Sequence, residues 1–271
     1  DAIFLTFQHN GEEYYFERND FELLDESTYV LYKASDVIPV QGVSCGAELV
    51  HDKTKIKPVL TTRSRPCKIA EVALACDYTF VQAHRNAQGA SNYMLAIAAA
   101  MANDWILPFT TEIQMFVTEV YANDDPNRDP FKGINDINAQ LMQFAWVRTQ
   151  IFQLGFDLAT CWSAKYKTGT VSASWTGTAC EGFPMSVCGE FSNSLNILRC
   201  EQSHEFGHIF NAPHDGANTP FIMEPSINGS LQWSGFSYGY ISGWIDNHGS
   251  CLDVCPGTDQ PVPDFNGSPI V

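Results

Sequence analysis

The sequence predicts an α/β fold built on a twisted, mostly parallel sheet with an antiparallel edge strand and a small β-rich N-terminal segment. Strand-like and helix-like stretches alternate from Cys67 onward. An order of βαβαββ needs helical crossovers, which lay the joined strands parallel. The length, 271 residues, suits one large domain with a smaller attachment. The hydrophobic share, 45%, is that of an ordinary globular chain.

The elements follow in chain order. In "IFLTFQHNGEEYYFE" two strand-like runs flank Asn10-Gly11, a hairpin signal, and "STYVLYKAS" adds a third strand. "CGAELVHDKTKIKPVLTTRSRPCK" is polar and basic and reads as a linker. Within it, "TTRSRP" (61–66) is a cut point for a trypsin-like or furin-like enzyme near Arg63–Arg65. "KIAEVALACD" (68–77) and "TEIQMFVTEVYA" (111–122) read as strands, with the helix "SNYMLAIAAAMANDW" (91–105) between them. "INDINAQLMQFAWVRTQIF" (134–152) has helical periodicity, and "DLATCWSA" (157–164) and "TVSASWTG" (170–177) are short strands. "NILRCEQSHEFGHIF" (196–210) and "SYGYISGWIDN" (237–247) are helices. The Pro/Gly-rich tail is a linker or a frayed end. The expected divisions are 1–66, 67–257 and 258–271.

Composition narrows the function. A formal net charge of −16 argues against a nucleic-acid partner, whose phosphates need a basic face. The richest apolar run, "YMLAIAAAMA" (93–102), is too short to span a membrane and reads as a buried helix. The chain starts at Asp1, which is compatible with a leader already removed or never included. Nine cysteines fit an oxidising compartment. "NGS" at Asn228 and Asn266 matches a glycosylation acceptor pattern. Because nine is odd, one thiol stays free, binds a metal or pairs outside the chain.

The densest chemistry lies in "HEFGHIFNAPHD" (204–215). Residues four apart share a helix face, so His204 and His208 present their rings together. Neutral imidazole nitrogen is a natural zinc ligand. Glu205 can then reach the open coordination position as a general base. His214 is six residues past His208, so a continuous helix would turn it away. Asn211 is the expected bend, since Asn visits the left-handed region most readily after Gly, and Pro213 stops the helix from resuming. A surface helix with scattered histidines is the rival reading; the intervening Glu, the third His and the helix stop argue against it.

This stretch resembles the long zinc signature of the metzincin metalloproteases, HExxHxxGxxH. Asp215, directly after the third His, resembles the adamalysin (reprolysin) branch. The Gly of the signature is Asn211 here, which tolerates the same backbone. The resemblance implies an α+β metzincin-like fold with an active-site helix and a Met-turn, for which "FIMEP" (221–225) offers Met223. It covers roughly 68–255, and outside the signature the matches are loose.

By that resemblance the chain is a secreted, monomeric zinc endopeptidase acting on extended polypeptides. Glu205 would take a proton from a zinc-bound water as it attacks the scissile carbonyl. The substrate would add to an edge strand near 170–176, and Glu224–Ile227 would wall the pocket after the cut bond. Calcium held by Asp124, Asp125 and Asp129 is a lesser expectation than a solvated acidic loop. The rival functions are a catalytically silent binding module of the same fold and a metalloenzyme acting on an ester or a glycan.

Eight cysteines fall in the protease-like region and could form four disulfides. Cys67 with Cys76, and Cys180 with Cys251 or Cys255, are candidate pairs. The ninth, Cys45 in "VSCGAE", resembles the Cys-Gly core of the adamalysin cysteine switch, whose thiolate binds the catalytic zinc in a latent precursor. A buried or externally paired thiol is the alternative.

Overall fold

The computed structural model describes residues 3–18, 28–46, 67–106 and 113–256. Its N-terminal part begins with the expected hairpin. β1 (Leu5–His9) and β2 (Glu12–Arg18) pair antiparallel, with Leu5 opposite Phe16 and His9 opposite Glu12. Asn10 (φ 53°) and Gly11 (φ 79°) both occupy the left-handed region that a two-residue hairpin turn demands. β3 (Tyr29–Lys33) completes an antiparallel meander against β2. Period-two alternation gives β2 an inward face of Glu13, Tyr15 and Glu17, all buried. β4 (Val43–Cys45) then leaves the meander and joins the main sheet.

The main sheet is mostly parallel. One edge of β5 (Lys68–Cys76) pairs parallel with β6 (Ile113–Tyr121). Its other edge pairs with β7 (Leu158–Ser163), parallel, and with the short β10 (Asp253–Val254), antiparallel. β7 pairs parallel with β9 (Met185–Gly189), and β9 pairs antiparallel with β8 (Gly169–Ser174). β8 is not the free edge, because β4 lies parallel along it. The crossovers are helical: α1 (Tyr78–Ala83) and α2 (Ala87–Ile106) follow β5, and α3 (Ile137–Ile151) follows β6. α4 (Leu195–Ile209) and α5 (Gly235–His248) come after the last long strand.

Alternate residues of β5 feed two cores. Val72 and Leu74 pack with Met94 and Ile97 of α2 and Ile197 and Phe206 of α4. Ala73 and Ala75 pack with Leu141, Phe144 and Val147 of α3. The sheet therefore lies between α2 and α4 on one face and α3 on the other. α1, β9 and β10 were not foreseen; each is too short to show a period of its own.

The cysteine expectation needs correction. Two disulfides form among the described residues, Cys67–Cys255 and Cys180–Cys251. Cys76 cannot meet Cys67, because it lies at the far end of the nine-residue β5, about 30 Å away at roughly 3.3 Å per residue. Cys76, Cys161, Cys188 and Cys200 are buried thiols in the cores. The Asn228 amide donates to the carbonyls of Thr219 and Phe221 and to Glu224, so it braces its own loop rather than presenting a glycan acceptor. The cut point at 61–66, Asn266 and the tail lie outside the described residues.

Candidate metal centre and active site

Every residue of α4 is buried, so its side chains are placed by packing rather than by solvent. Its end follows the expected bend. Asn211 has φ 69°, its N–H donates to His208 O (2.7 Å), and the Ala212 N–H donates to Gly207 O (2.9 Å). That pair of bonds is a Schellman closure, which turns the chain back toward the helix. It brings His214 beside His208, with Nε2 atoms 3.1 Å apart; His204 and His208 are separated by the same 3.1 Å.

The ring tautomers follow from the partners of Nδ1. His204 Nδ1 donates to Ile222 O and His208 Nδ1 donates to Ala212 O, both at 2.7 Å. A carbonyl only accepts, so each Nδ1 carries the proton and each Nε2 presents a bare lone pair. Burial, and then charge on His214, pushes His204 down to about 3, keeping it neutral. Lone pairs facing one another at this range repel unless a cation lies between them. Two ligands about 2.1 Å from a tetrahedral zinc sit roughly 3.4 Å apart. The residues present therefore fit zinc.

A fourth group reaches the same point. The ligand atoms of Cys45, His204, His208 and His214 all lie within 4.8 Å of one another. Cys45 is held there by its backbone: its N–H donates to Pro225 O (3.1 Å), and the Gly46 N–H donates to Ser172 O (2.8 Å). A Cβ at Gly46 would meet Thr170 Cγ2 at 2.6 Å, so a larger residue after Cys45 would have to displace that side chain.

Met223, the expected methionine of the turn, is fully buried. A Cβ on Gly207 would stand 2.4 Å from Met223 Sδ, so the missing side chain in the last turn of α4 is what admits the methionine. Met223 O accepts from the Asp215 N–H at 2.7 Å. The Asp215 carboxylate accepts from Ser234 Oγ (2.6 Å) and Ser237 Oγ (3.1 Å) at the start of α5. Asp215 thus ties the loop carrying His214 to both the Met223 turn and α5.

Glu205 is fully buried on the helix face beside the cluster. Burial raises its pKa, opposed by the nearby thiol of Cys45 and hydroxyls of Ser172 and Ser174. Sequence reasoning missed these two serines, the carbonyls of Ile222 and Ala212, and Ser234 with Ser237. Only the last pair left a signal, two serines three apart ahead of a helical run.

The acidic loop does not gather. Asp124 accepts from the Ala87 N–H (2.6 Å), Asp125 from Asn127 (2.9 Å) and Asp129 from Phe131 (2.9 Å). Each carboxylate braces a different stretch of backbone, and among the described residues they form no ligand cluster. Calcium gains no support.

A helix-borne histidine pair and a third histidine returned by a tight bend, on this α/β fold, are the arrangement of a metzincin-like metallopeptidase. A reprolysin model of metallo-peptidase family M12 matches residues 66–242, and the chain belongs to that family. It is also similar to a mouse (Mus musculus) protein, a disintegrin and metalloproteinase with thrombospondin motifs 20. The two are 29% identical over 102 residues, covering 33% of this chain and 5% of that relative's length. Among the described residues no helix is long and apolar enough to cross a membrane.

Proposed function

We propose that this chain is a secreted zinc endopeptidase held latent by its own N-terminal segment. Residues 1–66 are the pro-segment and its activation linker, and 67–257 the catalytic unit. The observation that supports this most is the convergence of Cys45 with the three histidines, within 4.8 Å. Family membership supports peptide hydrolysis, and the two disulfides fit an oxidising compartment.

Zinc held by His204, His208 and His214 supplies Lewis acidity, lowering the pKa of water and drawing charge from a carbonyl oxygen. The chain's own residues do the rest. β8 offers its edge to an extended polypeptide once β4 has left it. Glu205 takes a proton from the attacking water and passes it to the leaving amine. The Ile222 and Ala212 carbonyls keep their histidines in the ligating tautomer, while Met223, Asn211 and Asp215 hold His214 in place. In the latent chain Cys45 takes the position that water needs.

Casein digestion tests this, with a chelator control. The uncut Cys45→Ala chain should digest well above the uncut wild type. Glu205→Ala should lose about 10²–10⁴-fold of the cut chain's activity, the share a general base supplies. Unchanged activity in uncut Cys45→Ala would refute the latency, and a fully active Glu205→Ala would refute the mechanism.

A further inference from the structure

A crevice of about 700 Å³ opens beyond the carboxyl ends of β5, β7 and β9, away from the histidines. The turn between α1 and α2 and the loops after β7 and β9 line it, together with Phe4 and Arg18 of the N-terminal segment. Sheet topology accounts for its place. β5 leads through α2 to β6 on one side, and β6 leads through α3 to β7 on the other, so the connections part at β5 and β7. In open α/β sheets such a parting leaves a crevice outside the carboxyl ends of the strands, where ligands bind. The histidines lie toward the other end of α4. Asn193, in the lining, stands just before the helix, whereas His204 comes nine residues after its first residue, Leu195, roughly 14 Å along the axis.

The charge of the crevice runs against that of the whole chain. Acidic residues outnumber basic ones 31 to 15 overall. Here Arg18, Arg85 and Lys167 converge, and Glu190 is the one acid among the described lining residues. One Glu190 oxygen lies 2.8 Å from His84 Nε2 and the other 3.9 Å from Lys167 Nζ. Three cations against one carboxylate leave the crevice positive, and its walls focus that field on an incoming anion. Arg85 has φ 73°, a left-handed backbone that arginine seldom adopts. Backbone strain of that kind clusters at ligand clamps. The rest of the lining suits a polyhydroxylated ring. Asn92 and Asn193 bring amides, which both donate and accept as hydroxyls require. Phe4 stands against Tyr93, with ring centroids 5.4 Å apart, and adds an apolar wall.

We propose that this crevice binds an anionic saccharide, with its sulfate or carboxylate groups on Arg18, Arg85 and Lys167 and its hydroxyls on the amides. A guanidinium fork matches an oxyanion two hydrogen bonds at a time. Arg18 belongs to the N-terminal segment, and Arg85 and Lys167 to the body that follows Cys67. A bound saccharide therefore ties the two together and stabilises the uncut chain by mass action. The site needs neither zinc nor peptide hydrolysis, so it stands or falls apart from the protease reading.

Titration calorimetry of the uncut chain tests this, with thermal melting alongside. The probes are a sulfated disaccharide containing a uronic acid, its desulfated form, a neutral disaccharide and inorganic sulfate. The sulfated disaccharide should bind at least about tenfold tighter than the neutral one, the worth of one charge-assisted hydrogen bond. It should also raise the melting temperature, and its binding should weaken as salt is added. Binding that survives desulfation assigns the carboxylate as the anchor, and binding that does not assigns the sulfate; either supports the site. Arg18→Gln, Arg85→Gln and Lys167→Gln should each weaken binding about tenfold. Arg128→Gln, which removes the same charge from an exposed loop outside the crevice, should leave it within about twofold. If Arg18→Gln fails to fold, Arg85→Gln and Lys167→Gln carry the test, since both residues are exposed. No binding of the sulfated disaccharide overturns the proposal, as do crevice variants that bind like the wild type or an equal loss in Arg128→Gln. Inorganic sulfate binding as tightly as the disaccharide overturns the saccharide assignment.

Discussion

At the scale of single residues, the histidine cluster was legible because its spacing is local. Spacing along one helix places His204 and His208, and the left-handed tolerance of Asn places the bend at Asn211, where φ is 69°. What supports them was not legible. Ser172, Ser174 and the carbonyls of Ile222 and Ala212 come from other elements, and nothing in their own neighbourhoods marks them. Gly207 also looks unremarkable in the sequence, yet Met223 Sδ occupies the space its Cβ would need. Gly207→Ala should destabilise the chain by about 1–3 kcal/mol through overpacking, despite alanine's better helix propensity. Adding Met223→Ala should recover part of that loss, as a double-mutant cycle in denaturant would reveal. Glu201 carries a pH signature. Burial, reinforced by the charge of Glu205 and opposed by the Gly189 N–H, holds its carboxyl well above the usual range. The folded chain keeps this proton while the unfolded chain loses it near pH 4.3, so folding loses stability as pH rises from there toward the folded pKa. Glu201→Gln should melt above the wild type at pH 8, and the gap should close as pH falls to about 4. A gap constant with pH would contradict this.

At the scale of elements, periodicity placed the long helices and the strands that alternate. It could not place β9, five consecutive buried residues with no alternation to read. Nor could it show that β2 and α4 depend on one another. Ser194 stands at the N-cap of α4 but makes no capping bond with its side chain. Glu17 of β2 takes over: its Oε1 accepts from the Leu195 N–H at 3.2 Å and from the hydroxyl of Tyr32. Tyr15, also on β2, accepts from Arg199 Nε at 3.1 Å, and Arg199 Nη1 donates to both Asp104 oxygens at 2.8 Å. The meander thus caps and braces α4. Glu17→Ala should cost about 0.5–2 kcal/mol, as loss of a helix cap does, measured as a shift in the denaturant midpoint of the uncut chain. No shift would mean that the carboxylate braces nothing.

At the scale of the whole molecule, the alternation of elements was enough for the parallel sheet and its two helical faces. It was not enough for the disulfides, whose partners lie 188 and 71 residues apart. Nor could it settle where Cys45 goes, because that depends on β4 reaching β8 across about 125 residues of sequence, a pairing set by tertiary packing. The proposed latent form is a catalytic unit whose β8 edge is covered by β4 of its own N-terminal segment, with the Cys45 thiol at the fourth corner of the histidine site. X-ray absorption at the zinc edge of the uncut, zinc-loaded chain tests that claim most directly. One sulfur at about 2.3 Å with three nitrogens at about 2.0–2.1 Å is the predicted shell. A shell of nitrogen and oxygen alone would contradict it.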